Sequence, residues 1–272
     1  MARTLHIDYG ESPVANLYDA RDQSSLASAD GDVIVNANDP ATNLGMSTSF
    51  ALGIDKGPLW RTPANGINGL SVGRFNGTDS YAVSVQNAGS GPVAFKTVGD
   101  FISASAFTIA IVFQAEADSV SGNPGTTNSG VRFMEDPALS LSMRYFTNAG
   151  VQELYLQNTD SGGADRVGPL VFEKDVPQLL IFRHDGGTLY ASVNDGAESS
   201  VSSGNTADLT QNIWFGVSFV YGGFFTGPWC ELAIYNTGDA DGGLAALKTA
   251  LMAKWGIEVG GGSTFPALTV AL

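Results

Sequence analysis

Residues 219–236 read FVYGGFFTGPWCELAIYN. Two glycines, two phenylalanines and a Thr-Gly-Pro corner lead into a run in which Cys230, Leu232 and Ile234 alternate with Trp229, Glu231, Ala233 and Tyr235. A period of two is the signature of a strand, so the stretch reads as an aromatic turn feeding a β-strand. The alternation sets Glu231 on the face away from Cys230, where it is either solvated or turned to a partner. Pro228 has no amide to donate, which suits an edge or a strand start. The turn has two readings. Either its glycines serve backbone geometry and Phe224 or Phe225 plugs the space under a neighbouring loop, or the aromatic rings grip a ligand. The first is the expectation, because large aromatic side chains more often fill cores than touch ligands.

Working outward, the same period recurs through the middle of the chain. SYAVSVQ (80–86), FTIAIVFQAE (107–116), VRFME (131–135), LSLSMRYF (139–146), ELYLQN (153–158), QLLIFRH (178–184), TLYASVN (188–194) and IWFGVSFVY (213–221) all read as strands. Gly, Ser, Thr and Asn punctuate them, as in a many-stranded antiparallel fold. FTIAIVF is apolar at almost every position, which predicts a central strand covered on both faces. In LSLSMRYF, Leu139, Leu141, Met143 and Tyr145 alternate with Ser140, Ser142 and Arg144, which predicts one face in the core and one in water. Asp185-Gly186-Gly187 joins QLLIFRH to TLYASVN, and Asn194-Asp195-Gly196 closes the second strand; both supply residues that tolerate positive φ, so a tight hairpin is expected here. One helix is predicted near the end. Leu244, Leu247, Leu251 and Trp255 recur at three- and four-residue spacing, Asp239 or Asp241 can cap the first amides, and Gly256 can stop the helix.

The bulk properties narrow the functions. The chain has 272 residues, of which 43% are hydrophobic and 15% charged, enough apolar material for one large β-sandwich. A net charge of −14, with no cluster of Lys or Arg to reverse it locally, repels a phosphate backbone, so nucleic acid is not an expected partner. Cys230 is the single cysteine, which leaves no intramolecular disulfide and reads as a small buried hydrophobe. No apolar run of signal-peptide length follows Arg3, and nowhere do about 18 uninterrupted apolar residues occur. The expectation is a protein without membrane insertion, made in a host cytoplasm and displayed on a virion, or alternatively on a bacterial cell surface.

Three stretches taken together resemble the concanavalin A-like, laminin G-like jelly-roll modules of bacteriophage and bacterial surface proteins. They are NLYDARDQSSL (16–26), GINGLSVGRFNGTDSYAVSV (66–85) and IWFGVSFVYGGFFTGPWCELAIYN with the following LKTALMAKWGI (213–257). The resemblance implies an all-β fold of two stacked antiparallel sheets, a jelly-roll sandwich over residues 15–257, closed by the C-terminal helix. It also implies that Arg74-Phe75-Asn76-Gly77-Thr78 enters a strand at the sandwich edge. The pattern departs at Pro228, where relatives carry an acidic residue, and this weakens any ion or ligand role carried over to the turn. An N-terminal arm (1–14) and a Gly-rich linker with a terminal segment TFPALTVAL (258–272) flank the sandwich. That segment, with Phe265, Leu268, Val270 and Leu272, is strand-prone and nearly uncharged, so it is expected to dock on a sheet edge of its own or another subunit.

Catalytic patterns are sparse. Some glycanases of this superfamily carry Glu-x-Asp-x-x-Glu on one strand, with two carboxylates about 5 Å apart for retention. Glu116-Ala117-Asp118 matches its first half, but Ser119, Val120, Ser121 and Gly122 follow, and no second glutamate. His6 and His184 are far apart and lack ligand spacing. Asp239-Ala240-Asp241-Gly242 has Thr237 and Lys248 where a calcium loop needs acids. No cofactor is implied. Calcium is the ion that jelly-roll rims admit, with Asp79, Asp185, Asp195 and Asp208 as candidates that also have plain turn roles. Asn76-Gly77-Thr78 is formally a glycosylation sequon and reads as a turn. The reading that follows is a non-enzymatic structural protein of a virion surface, of the capsid-decoration type. It is expected to be a homo-oligomer that attaches to other subunits by its arms and adheres to cell-surface glycans. The alternative is a carbohydrate-binding adhesin or tail-fibre module, with Trp60, Tyr221, Phe224, Phe225 and Trp229 as candidate sugar contacts.

Overall fold

The computed structural model describes residues 15–19, 36–38, 44–47, 58–87, 92–95, 97–100, 102–103, 106–123, 130–136, 140–160, 163–217, 223–235, 238 and 243–258. The strands are β1 (Ala15–Asp19), β2 (Asn36–Asn38), β3 (Leu44–Ser47), β4 (Leu59–Arg61), β5 (Val72–Asn76), β6 (Ala82–Asn87), β7 (Pro92–Phe95), β8 (Ala106–Phe113) and β9 (Val131–Glu135). They continue as β10 (Leu141–Asn148), β11 (Val151–Asp160), β12 (Gly163–Phe172), β13 (Gln178–Asp185), β14 (Thr188–Val193), β15 (Ser199–Ser202), β16 (Trp214–Phe215) and β17 (Thr226–Tyr235), followed by helix α1 (Gly243–Trp255).

These strands form two antiparallel sheets. One runs β15-β14-β13-β8-β17-β5-β4, with β1 also paired to β17; the other runs β12-β11-β10-β9-β16-β6-β3-β2, with β7 paired to β6. The inner faces of both sheets meet in one apolar core that includes Phe75, Phe113, Phe133, Tyr145, Phe172, Phe215, Phe225 and Trp229. Ring centroids lie 4.5 Å apart for Phe113 and Phe133, and 5.1 Å apart for Phe75 and Trp229. Such pairs add about 0.5–1.5 kcal/mol each beyond the area they bury.

Strand β8 occupies the centre of its sheet, as its unbroken apolar run predicts. Phe107, Ile109, Ile111 and Phe113 enter the inter-sheet core, while Ala110 and Val112 face outward beneath α1. The helix covers this outer face with Leu247, Leu251, Met252 and Trp255, and Gly256 ends it at φ +67°. The proposed caps Asp239 and Asp241 lie outside the described residues. The hairpin of β13 and β14 also forms as read, with Gly186 at φ 96° and Asn194 at φ 54°. At its start His184 is fully buried, and its Nδ1 accepts the amide of Gly186 at 2.9 Å.

Three expectations need correction. First, β10 is not half exposed: Ser140, Ser142 and Arg144 are at most 4% exposed. Cross-strand register sets Arg144 opposite Arg132 and Ser142 opposite Glu135. The outward face of this sheet therefore carries a buried polar layer, in which Arg132 Nε donates to Glu135 Oε2 at 2.6 Å, and Arg144 and Arg166 both donate to the side-chain Oε1 of Gln157. A serine and an arginine look solvent-facing in a periodicity argument, but hydrogen bonds, such as Ser140 Oγ to Asp136 and Arg144 Nη2 to Gln157 Oε1, let them be covered. Second, IWFGVSFVY is not one strand. Gly216 turns the chain at φ 74°, where a side chain would meet the Phe75 ring at 2.3 Å, so β16 is only two residues long. Third, β5 lies one strand in from the edge, which β4 occupies.

The opening run is also only half legible as a simple alternation. A β-bulge between Trp229 and Glu231 sets Trp229 opposite Phe113 and Glu231 opposite Val112. Trp229, Leu232 and Ile234 consequently fill the inter-sheet core, while Cys230, Ala233 and Tyr235 pack in the layer under the helix. Glu231 sits beneath the helix as well. Its Oε2 accepts from Lys254 Nζ at 2.6 Å and from Trp255 Nε1 at 2.8 Å. Both side chains of the Lys254–Glu231 pair are at most 7% exposed, so the glutamate joins helix to sheet.

Candidate functional site

The turn into β17 is built by two extended residues of the segment after β8. Gln114 N donates to Pro228 O at 2.9 Å, and Glu116 N donates to Thr226 O at 3.0 Å. Gly227, between these contacts, has φ +130°, and a Cβ there would come within 2.0 Å of Gln114 O. The glycine is required by the close approach of the two segments. Pro228 is the third residue of β17 and pairs with Arg74, in keeping with a position near a strand start. The loop after β4 closes over the other side. Ile67 and Leu70 exchange backbone hydrogen bonds of 3.0 and 2.8 Å, and Asn68 Nδ2 donates to Lys254 O at 2.9 Å, tying this loop to the end of the helix.

An open cavity of about 560 Å³ lies between these parts, lined by Arg61, Asn65, Gly66, Ile67, Arg74, Gln114, Glu116 and Pro228. None of these residues carries an aromatic ring. Arg74 Nη2 forms an ion pair with Glu116 Oε2, with the two side chains 35% and 22% exposed. The described lining thus holds two guanidinium groups, a carboxylate and two side-chain amides. These are the groups that hydrogen-bond sugar hydroxyls and anions. A second cavity of about 290 Å³ lies where β12 meets the turn after β14, beside Glu173, Gln178 and Asn194.

The two acids of Glu116-Ala117-Asp118 do not converge. Glu116 faces Arg74, whereas Asp118 accepts from Lys174 Nζ at 3.0 Å and from Gln152. The Lys174 hydrogen bond holds the Asp118 carboxyl below its usual range, and Asp118 raises the Lys174 ammonium in turn. Each carboxylate has its own basic partner, and among the described residues the cavity lining holds one acid, Glu116.

The aromatic candidates separate sharply. Phe225 and Trp229 are wholly buried and belong to the inter-sheet core, where neither can touch a ligand without unpacking the sandwich; the expectation of contacts there is corrected. Phe224 is half-buried and bridges to Val217. Tyr221 and the side chain of Trp60 lie outside the described residues, as do Phe265, Leu268, Val270, Leu272 and the N-terminal arm.

The aspartates named for a hard cation occupy separate turns, and among the described residues no three His, Cys, Asp or Glu side chains gather as a metal group. Asp79 accepts from Asn76 Nδ2 at 2.7 Å, while Asn76 Oδ1 accepts the amides of Thr78, Asp79 and Ser80. The sequon is thus a turn held by its own asparagine. Burial works against ionisation of Asp185, but hydrogen bonds from Tyr190, Gly187 and Thr188 outweigh it and hold the carboxyl below the usual range. The hydroxyl and amide of Thr210 do the same for Asp208. Asp195 is exposed in the turn after β14.

The arginine–glutamate cavity was not signalled by any motif. Its ion pair joins positions 42 residues apart, and neither residue breaks the pattern of its own strand or strand end.

No family model matches the chain, and no curated protein matches it. Solved structures do. The binding domain of botulinum neurotoxin serotype D superposes with a TM-score of 0.52 at 8% identity, covering 82% of this chain and 51% of that one. The receptor binding domain of botulinum neurotoxin D gives 0.52 at 7% identity, covering 82% and 52%. The chain spans about half the length of these toxin domains. Domain 4 of AbnA, an extracellular arabinanase from Geobacillus stearothermophilus, in complex with arabinotriose, matches at a TM-score of 0.40 and 16% identity, covering 61% and 75%; at that score it carries no argument. Similarity at these identities defines the fold alone. The chain is a two-sheet antiparallel jelly-roll sandwich of the concanavalin A-like type.

Proposed function

We propose that this chain is a non-catalytic carbohydrate-binding jelly-roll and that the cavity between β4, β5 and the start of β17 receives the sugar. The observation that carries the reading is the lining itself: Arg61, Asn65, Arg74, Gln114 and Glu116 around an open space of about 560 Å³. Such a set can donate to and accept from several hydroxyls at once. A glycosidase of the usual kind needs two carboxyl groups flanking the bond; here Glu116 is the one acid among the described lining residues, and Arg74 already engages it. That favours binding over hydrolysis. The sandwich serves receptor binding in the toxin domain that carries that name, which is analogy at the level of fold. Screening the whole chain against an immobilised glycan array tests the reading. Binding that falls in Asn65→Ala and Gln114→Ala but persists in Lys174→Ala supports it. Absence of binding above background, or release of reducing sugar from a bound glycan, removes it.

Display on a virion surface through the terminal arms is the setting we infer for this module. It is supported by the acidic net charge of −14 and by the uncharged, strand-prone TFPALTVAL segment, whose apolar residues need a partner surface. Deleting residues 258–272 should abolish incorporation into particles while the sandwich still folds. Particles that assemble normally without the segment would exclude this attachment.

A further inference from the structure

We infer that the second cavity, where β12 meets the turn after β14, is a binding site for a 2-acetamido sugar, with Gln178 reading the acetamide. The inference stands apart from the β4–β5–β17 cavity and survives its failure. The space measures about 290 Å³, at the small end of the range for ligand pockets, which suits one sugar residue. Its lining combines Leu170, Phe172 and Val193, all packed on the inter-sheet core, with the polar side chains of Glu173 and Gln178.

The orientation of Gln178 is set by its neighbours. Asn194 takes a φ of 54°, and its side chain folds back onto the start of β13, where its Oδ1 accepts the amide of Leu179 at 2.8 Å. A backbone amide can only donate, so the oxygen of Asn194 must face it and Nδ2 must point the other way. Nδ2 donates to Gln178 Oε1 at 3.0 Å, which in turn holds the glutamine with its oxygen toward Asn194. Gln178 Nε2 meets no acceptor among the described residues. Gln178 is 5% exposed and lines the cavity, so a nearly buried residue holds oriented N–H groups for a ligand. An unpaired donor in such a place costs free energy, and an acceptor carried in by a ligand recovers it.

The occupant must bring an acceptor for Nε2, an apolar group for the core-backed side and donors for the exposed carboxylate of Glu173. An acetamido group on a pyranose has all three. Its carbonyl oxygen accepts from Gln178, its methyl rests on Leu170 and Val193, and its N–H and a neighbouring hydroxyl donate to Glu173 in charge-assisted hydrogen bonds. An unsubstituted hexose brings no methyl and sets a hydroxyl against apolar side chains; a 2-amino sugar brings no carbonyl. A site built around a buried hydrogen-bonding group rejects the analogue that lacks its partner, because that group is then left unpaired.

The test is an NMR titration of the isotope-labelled full chain with the methyl glycosides of N-acetylglucosamine, N-acetylgalactosamine, glucose and glucosamine, read at the side-chain amides. Gln178 reports on this cavity, Asn65 and Gln114 on the other. At least one acetamido glycoside should shift the Gln178 amide and bind about tenfold or more tightly than the glucoside. Gln178→Glu keeps an oxygen for Asn194 Nδ2 but exchanges the donor for an acceptor, and should abolish saturation transfer to the acetyl methyl of the glycoside. Should that variant fold poorly, Glu173→Gln at an exposed position is the second arm and should weaken acetamido binding severalfold. An equal Gln178 response to the glucoside, a stronger one to the glucosamine glycoside, or an equal one to N-acetylalanine methylamide, which carries the acetamide without the sugar, overturns the inference. So does the absence of any Gln178 shift. Shifts confined to Asn65 and Gln114 overturn it as well, while supporting the first cavity.

Discussion

Removing the Glu231 carboxylate should be among the costliest changes outside the inter-sheet core. In Glu231→Ala, Lys254 Nζ and Trp255 Nε1 lose an acceptor that now lies 2.6 and 2.8 Å away, in a layer where the lysine side chain is 7% exposed. Breaking a buried pair by deleting one member costs about 3–5 kcal/mol, because a charge is left uncompensated; the indole hydrogen bond accounts for about 1–3 kcal/mol of this. With roughly 2–4 °C per kcal/mol for a chain of this size, the melting temperature should drop by about 10 °C. Urea unfolding followed by tryptophan fluorescence measures the free energy, and calorimetry the temperature. Glu231→Leu combined with Lys254→Met removes both charges and should recover at least half of the loss, since apolar replacement of a buried pair is often neutral. A loss below about 1 kcal/mol in Glu231→Ala, the range of a solvated pair, would refute the reasoning. So would a double variant no more stable than the single one.

Other perturbations address the turn and its surroundings. Phe225→Ala should destabilise the fold by about 3–5 kcal/mol in urea titration, whereas the half-buried Phe224→Ala should cost less than half as much; the reverse order would mean that the wrong ring is in the core. Gly227→Ala combines a positive φ with a clash against Gln114 O and should cost about 2–4 kcal/mol. It should also weaken sugar binding by moving the cavity wall, and native stability in this variant would contradict the close approach. Burial pushes the Cys230 thiol well above its ordinary range, so at pH 8 it stays protonated and unreactive. Labelling by a thiol reagent should therefore proceed at the rate of unfolding, and rapid stoichiometric labelling of the native protein would sink this.

What the sequence disclosed depended on whether one strand could be read alone. β8, the β13–β14 hairpin and the apolar stripe of α1 are visible because each obeys a single period with its own stop signals, such as Gly186 and Gly256. The outward face of β10 was not, because Ser142 and Arg144 are covered through pairing with neighbouring strands, and pairing is not a local property. β12 went unread for a similar reason. Its Asp165, Arg166, Gly168 and Pro169 hide the apolar Val167, Leu170 and Phe172 that enter the core. Among candidate contacts, Phe225 and Trp229 were conspicuous as aromatics and proved to be packing residues. Glu116 stood out only as half of a catalytic pattern and Arg74 only as part of a strand entry, and tertiary structure alone pairs them in the cavity lining.

The single extra residue at Cys230 has a reach well beyond its own position. Ahead of it, odd-numbered side chains such as Trp229 point inward; after it, even-numbered ones such as Leu232 and Ile234 do. The bulge is a frameshift in burial, placed so that one strand can begin in one phase at the cavity and finish in the other beneath the helix. Removing Cys230 itself would leave a plain alternation with Trp229, Leu232 and Ile234 still inward, whereas a residue gained or lost elsewhere in the strand, between Leu232 and Ile234 for example, would throw everything beyond it onto the wrong face, however conservative the change in composition. Evolution can vary the loops flanking this strand in length, but the strand itself tolerates substitutions far better than insertions or deletions.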